Sequence, residues 1–364
     1  MFYKEVKVEK NQPYKVTCMV KTENVDRRNI MKILLIGAGA IGGTVAVFMK
    51  NAGYDVRIMC HSTSTKELIE KEGFFLHGAK GEFSVDFTCY SSYEELGDER
   101  FDLVIIATKY AAMTECAKAC LPYLSENGLV VGMQNGILTE ELAETVGRDK
   151  AVGCMIGFGA TKNKANDVTM TSKGEFYVGM LDGRRPRLLD DFAEMLKAVL
   201  PTEVTMDIKG RQYSKLIINS CINAVAGITG KTLGEILKDV RARDLFLSIA
   251  REGMAVAKAM GIKVPKYGVM LEYRLLSLSN GKLYNSICKL VVRVVGLLYS
   301  DVKPSTLQSL EKGEKTEIDI LNGYFVHKGA EYSVSTPVNT KLVAMIREIE
   351  EGKRKISSDN LAEF

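Results

Sequence analysis

Residues 32–51 constrain the fold more than any other stretch of the chain. Lys32-Ile-Leu-Leu-Ile36 is an unbroken apolar run of strand length, it passes directly into Gly37-Ala38-Gly39-Ala40-Ile41-Gly42, and residues 44–51 then read as helix. In that order each glycine has a physical task. Gly37 permits a tight turn, Gly39 lets the backbone approach a pyrophosphate, and Gly42 allows close packing of helix on strand, while the helix N-terminus offers N–H groups to the anion. A glycine-rich turn without a ligand is the bland alternative, and the placement between strand and helix argues against it.

A second strand at 55–60 follows Gly53. At its carboxyl end a dinucleotide fold that prefers a free ribose 2'-hydroxyl carries a carboxylate. Here the chain reads His61-Ser62-Thr63-Ser64-Thr65-Lys66 instead, which suits a 2'-phosphate and points to NADPH (NADP+). Residues 62–65 also have the composition of a helix cap, a role compatible with anion binding.

Further strand-like runs at 103–107, 129–133 and 152–156 alternate with helical segments at 113–121 and 140–146, the pattern of a parallel, doubly wound α/β sheet. Two loops at the carboxyl edge of such a sheet, Thr108-Lys109-Tyr110 and Gln134-Asn135-Gly136, make Lys109 and Asn135 candidate cofactor or substrate contacts, with chance placement on a surface loop as the alternative. The runs 168–171 and 176–179 read as paired strands around Lys173-Gly174 that extend the sheet. Beyond Pro201 the pattern turns helical, so the boundary is expected between 200 and 209. A length of 364 residues accords with two domains: 31–204, and a helical 205–350 followed by a 351–364 tail.

Composition removes several function classes. Net charge is +4 with the basic residues scattered, so no nucleic-acid footprint stands out. The apolar stretch 290–299 is interrupted by Arg293 and is too short to span a bilayer, so no membrane role is expected. Eight cysteines, mostly in apolar runs such as Ser220-Cys221-Ile222, read as reduced core residues and a cytoplasmic location. Cys116 and Cys120 have helical spacing, yet no histidine or second cysteine pair completes a metal set, and none is expected. Residues 1–30 lack an apolar signal core and carry Glu5, Glu9, Glu23 and Asp26; they read as an N-terminal extension, with 14–21 able to form an edge strand.

The second half holds the chemistry. The helix 211–229 is almost wholly apolar, yet Lys215, Asn219 and Asn223 fall on one face at i, i+4 and i+8. Burying such groups without partners costs on the order of 1–3 kcal/mol each, so the stripe calls for a ligand or, alternatively, an internal hydrogen-bond network. Gly230 reads as its C-cap, and Thr232 with Glu235 as a capping box for the next helix. In a further helix expected at 314–326, Glu317 has Ile320, Leu321 and Tyr324 as neighbours and is expected to point inward, whereas Asp319 faces Asn322 and Gly323. An inward carboxylate is a site candidate, or one half of an ordinary ion pair.

Taken in order, Gly37–Gly42, Lys109, Gln134-Asn135-Gly136, Lys215-Leu-Ile-Ile-Asn219-Ser-Cys-Ile-Asn223, Ser305-Thr-Leu-Gln308 and Thr316-Glu-Ile-Asp-Ile-Leu-Asn-Gly323 resemble the ketopantoate reductase (2-dehydropantoate 2-reductase) family over about residues 31–350. The resemblance implies a Rossmann-type domain followed by an all-α domain of the 6-phosphogluconate dehydrogenase C-terminal kind. It also implies NADPH-linked reduction of 2-dehydropantoate to pantoate, for coenzyme A biosynthesis, in the cleft between them. Reducing a ketone builds negative charge on its oxygen, and with only three histidines in the chain Lys215 is the expected general acid. By carry-over Glu317 would hold the substrate hydroxyl or orient Lys215, Asn219, Asn223 and Ser305 would fix the substrate's polar ends, and Asn135 and Lys109 would line the cofactor side, with Glu317 also within the cofactor's reach.

Three departures from the family pattern carry consequences. His61 stands where many members have arginine, so binding of the 2'-phosphate is expected to weaken as rising pH removes the imidazolium charge. The stretch 267–301 is longer than the family needs and is expected either to pack or form a homodimer contact, or to reshape the pocket for another 2-oxo acid. Ser214 and Ala224 replace bulkier residues or proline. The competing functions are a paralogous reductase of a different small 2-oxo acid and a non-catalytic dinucleotide-binding regulator.

Overall fold

The computed structural model describes residues 31–266, 281, 285–290, 292–293 and 303–364, so the 1–30 extension and most of 267–301 lie outside the described residues, together with the edge strand and dimer contact expected there. The chain opens with β1 (Lys32–Ile36), α1 (Ala40–Asn51), β2 (Asp55–Met59), α2 (Thr63–Glu72), β3 (Phe74–Gly78), β4 (Phe83–Val85) and β5 (Cys89–Tyr90). It continues with β6 (Phe101–Ile106), α3 (Met113–Cys120), β7 (Leu124–Gly132), α4 (Thr139–Val146) and β8 (Ala151–Ile156). Next come β9 (Ala160–Lys164), β10 (Asp167–Met170), β11 (Phe176–Gly179), α5 (Arg187–Leu196) and β12 (Thr202–Val204).

Eight of these strands form one sheet in the order β12-β11-β8-β7-β6-β1-β2-β5. The six from β8 to β5 are mutually parallel, and β11 reverses direction against β8. This is a Rossmann-type, doubly wound sheet. Its central strands are apolar throughout because helices cover both faces: Ile33, Leu34, Leu35, Val104 and Ile105 are all fully buried. Strand order reverses at β1, which pairs with β2 on one side and β6 on the other, and the crevice outside the carboxyl ends of β1 and β6 is where such sheets take ligands.

The sequence expectation of a 168–171/176–179 hairpin is corrected by the structure. β11 joins the large sheet against β8, whereas β10 belongs to a separate four-stranded sheet, β4-β3-β10-β9, in which it runs parallel to β3. The cause is long-range: Asn166 is buried and its amide donates to the Gly73 carbonyl at 3.0 Å, pinning the start of β10 beside β3.

After β12 only helices occur among the described residues: α6 (Ile208–Thr229), α7 (Leu233–Lys238), α8 (Val240–Ala259), α9 (Ser305–Glu311), α10 (Asn322–Glu331) and α11 (Pro337–Glu350), with a short 3-10 helix at Ser358–Glu363. Asp207 caps α6 by accepting from the Gly210 amide at 2.9 Å, and Gly230 ends it in the left-handed conformation at φ +73°. Leu216, Ile217, Val225 and Ile228 are at most 1% exposed; burial of each contributes roughly 1.5–3 kcal/mol, enough to fix the helix as the axis of the second core. Residues 351–364, read as a tail, dock instead on this helix. The Ser357 amide and the Asn360 side chain both donate to the Ile228 carbonyl, at 3.1 and 2.8 Å, serving an acceptor in the last turn, where helical partners run out.

A second correction concerns the helix expected at 314–326. Residues 317–321 form a turn, with the Leu321 amide donating to the Glu317 carbonyl at 3.1 Å, and α10 starts only at Asn322. Glu317 therefore gains its inward orientation from a turn rather than from helical periodicity.

Candidate active site

The glycine turn after β1 has the build expected of it. Gly37 sits at φ +101°, where a Cβ would come within 3.0 Å of the Ala107 and Thr108 backbone at the end of β6. A Cβ at Gly42 would lie 2.1 Å from the Gly37 carbonyl oxygen, so glycine is what lets α1 close on the turn. A Cβ at Gly39 would meet nothing within 4 Å, and Gly39 is the N-cap of α1 with no side chain capping the helix, leaving its first amides open to an anion alongside Ala38, Ala40 and Ile41. Two buried polar atoms at the same edge, Thr108 Oγ1 and Gln134 Oε1, have no hydrogen-bond partner among the described residues. These residues fit a dinucleotide.

At the end of β2 the structure separates the candidate phosphate ligands. Ser62 is the N-cap of α2, accepting from the Thr65 amide at 3.3 Å. Lys66 is engaged by Glu95 at 2.6 Å, and Glu95 also accepts from the Ser91 hydroxyl at 2.7 Å. His61, Thr63 and Ser64 remain exposed beside the N-terminus of α2, with no carboxylate free to take a ribose hydroxyl from that loop. Lys109 is 78% exposed and reaches across to Glu314 at 3.2 Å, a partner that the sequence reading missed.

The decisive cluster forms where the loop after β7 meets α6. Lys215 Nζ donates to Asn135 Oδ1 at 2.9 Å, and Asn135 Nδ2 donates to Glu317 Oε2 at 3.1 Å. Three segments far apart in sequence thus share one hydrogen-bonded line. Gly136 makes the meeting possible: it adopts φ +85°, and a Cβ there would come within 3.1 Å of the Ile320 carbonyl oxygen in the Glu317 turn. On the other side Gln134 donates to the Ile106 and Thr108 carbonyls at 2.9 and 3.3 Å, tying the ends of β6 and β7 together beneath Asn135.

Burial holds the Lys215 ammonium down at about 8, against a free lysine value of 10.5, partly offset by the neighbouring Cys154 and Glu317. Burial also pushes the Cys154 thiol up to about 12, and Glu317 is the carboxylate among the groups that bear on Lys215. The cleft around Lys215 is lined by Asn135, Cys154, Gln212 and Asn219. Gln212, three residues before Lys215 on the same face, was the legible signal the stripe argument passed over; it accepts from Thr139 at 3.0 Å, joining α6 to α4.

At the far end of the stripe, Asn223 takes part in an internal hydrogen-bond network, the alternative to a ligand that the sequence left open. Asn223 Oδ1 accepts from the Ser305 hydroxyl at 3.0 Å and from the Thr306 amide at 3.2 Å, while its Nδ2 donates to the Asn219 carbonyl at 3.1 Å. Its polar atoms are engaged within the protein, so Asn223 anchors the start of α9 and orients Ser305, which is itself exposed. Ser305 and Asn223 stand about 12 Å along α6 from Lys215 at roughly 1.5 Å per residue. Between them Asn219 presents a carboxamide with no partner among the described residues. No group of three or more histidine, cysteine or acidic side chains converges among the described residues, seven cysteines there are free thiols, and no described helix is long and apolar enough to cross a membrane.

Fold and cleft define the class: a Rossmann-type protein with a helical second half, built around a dinucleotide turn and a half-buried lysine. The sequence profile described as "Ketopantoate reductase PanE/ApbA" matches residues 33–183, and that described as "Ketopantoate reductase PanE/ApbA C terminal" matches residues 207–350. The chain belongs to the ketopantoate reductase family. It is 28% identical over 324 residues to the 2-dehydropantoate 2-reductase of Archaeoglobus fulgidus, covering 89% of this chain and 99% of that one. The 2-dehydropantoate 2-reductase of Aquifex aeolicus is also 28% identical, with 87% and 96% covered. Among solved structures, a PanE/ApbA family ketopantoate reductase from Ralstonia eutropha superposes with a TM-score of 0.75 at 24% identity, covering 89% of this chain and all of that one. D-mandelate dehydrogenase in a ternary structure with NADH and anilino(oxo)acetate gives 0.74 at 21% identity, with 89% and 99% covered.

Proposed function

We propose that this protein is a cytoplasmic 2-dehydropantoate 2-reductase that uses NADPH, with Lys215 as general acid. The observation that carries the reading is the Lys215–Asn135–Glu317 line, set beside the carboxyl edge of the sheet where the dinucleotide turn lies. Family membership supports the reaction, and the relatives' names supply the oxo acid.

The turn 37–42 and the first amides of α1 would hold the pyrophosphate, Thr108, Asn135 and Glu317 would face the nicotinamide end, and His61 would meet the 2'-phosphate. When bound, the reduced nicotinamide supplies the hydride equivalent that turns the ketone into an alcohol. Every other task falls to the chain. Lys215 holds a proton at Nζ, aimed by Asn135, and gives it to the substrate oxygen as negative charge develops there. With its titration near 8 it remains protonated at neutral pH yet surrenders the proton more readily than an exposed lysine. Asn219 and Ser305 would bind the polar ends of the oxo acid, and fixing both reactants removes much of the entropic barrier.

Lys215→Ala is the test. Turnover of 2-dehydropantoate with NADPH is expected to fall by about 10²–10⁴-fold while cofactor binding persists. Retained turnover would contradict the lysine mechanism. No turnover in the native protein with any 2-oxo acid, with cofactor binding intact, would indicate a dinucleotide-binding regulator instead.

A further inference from the structure

The turn that carries Glu317 has no helix of its own to hold it, yet its carboxylate must stay within 3.1 Å of Asn135. Its support comes from the far end of the helical domain. Glu350, in the last turn of α11, is 8% exposed at the side chain. Its Oε1 accepts from the Thr316 amide at 2.8 Å, immediately before Glu317, and Lys315 Nζ lies 3.3 Å from its Oε2. A carboxylate in the last turn opposes the helix dipole, so this placement is unfavourable unless the group has another task. Thr316 passes the constraint on, since its Oγ1 accepts from the Ile318 amide at 3.2 Å. One turn earlier on α11, Arg347 holds Asp319 at 2.7 Å, on the other flank of Glu317.

We propose that Glu350 is a positioning residue: through the Thr316 amide it fixes the turn that delivers the Glu317 carboxylate to Asn135 and Lys215, so that the carboxyl end of α11 splints the reaction centre. The inference rests on the reading of Lys215 as general acid. Glu350 itself touches neither substrate nor cofactor, and acts by keeping a negative charge close to Lys215. Among the described residues the ionisable groups bearing on Lys215 are Cys154 from β8, whose thiol burial pushes up to about 12, and Glu317 from the turn. Displacing Glu317 therefore removes the charge that favours the ammonium, and Lys215 loses its proton at lower pH.

The experiment compares pH profiles of kcat/KM for Glu350→Ala and Glu350→Gln with that of the native chain. Glu350→Ala should move the basic limb to lower pH and reduce kcat/KM several-fold at pH 8, and Glu350→Gln, which keeps an oxygen able to accept from Thr316, should restore the native limb. Should Glu350→Ala fail to fold, Glu350→Asp is the milder lesion, with the carboxylate drawn back by one methylene. A limb unmoved in a folded Ala or Asp variant would overturn the proposal, because loss of stability alone lowers the melting temperature without moving a titration. A native chain with no basic limb would instead sink the Lys215 reading. In that case amide exchange at Thr316 decides for Glu350: acceleration in the Ala variant supports the splint, and unchanged exchange refutes it.

Discussion

Lys215 keeps a proton in a place that discourages one, and the balance is set by few groups. Burial lowers its titration to about 8, and the nearby Glu317 keeps it from falling further. Glu317→Gln should therefore shift the basic limb of the pH profile downward and cut kcat/KM, measured by cofactor oxidation between pH 6 and 10; an unmoved limb would mean that Glu317 acts only on the substrate. Lys66 is engaged by Glu95, Ser62 by the helix cap and Ser64, and Thr63 by Ser91, so under the proposed NADPH reading exposed His61 is the residue of this loop that would meet the 2'-phosphate. His61→Arg should raise the ratio of NADPH to NADH specificity constants, since arginine binds phosphate bidentately and holds its charge at every working pH. A fall in that ratio would show that His61 faces elsewhere. Sequence alone made Lys215 and Asn219 legible because a polar stripe on an apolar helix is a local pattern. The hydrogen-bond partners of Asn223 were not legible, because Ser305 and Thr306 lie 82 and 83 residues away.

Elements were readable in proportion to how local their causes are. β1, the glycine turn and α1 depend on neighbours in sequence and were plain, as were the buried apolar strands β6 and β8. The turn at 317–321 was not, because its apolar spacing suits a helix equally well and what decides against one is distant: the approach of Gly136 to Ile320 and the hydrogen bond that the Thr316 amide donates to Glu350. β10 was misassigned for the same reason, its partner β3 standing some 90 residues earlier. Gly136 offers the cleanest test of an element-level claim. Gly136→Ala introduces a side chain at positive φ and a crowded contact with the Ile320 carbonyl, so a loss of about 1–2 kcal/mol is expected in denaturant melts. Activity should fall further than stability explains, because the same shift separates Asn135 from Glu317. An Ala variant as active as the native chain would show that the close approach is dispensable.

On the scale of the molecule, hydrophobic cores fill both faces of the sheet, and a further core is centred on α6. The loop after β7 belongs to both the sheet and the α6 core. Gln134 bonds to the sheet, whereas Ile137 is 5% exposed and packs in the helical core, which fixes Asn135 at the junction. Glu317 and Glu314 reach the same junction from the helical side, toward Asn135 and Lys109. The Lys215–Asn135–Glu317 line is thus assembled from both halves of the chain. The measurement that tests this account most directly is the pH dependence of kcat/KM for 2-dehydropantoate with NADPH. The account predicts a plateau at neutral pH that falls about tenfold per pH unit above a limb near 8, as the Lys215 proton is lost. A profile flat to pH 10 would contradict it, because a proton donor held at Lys215 could not survive that far.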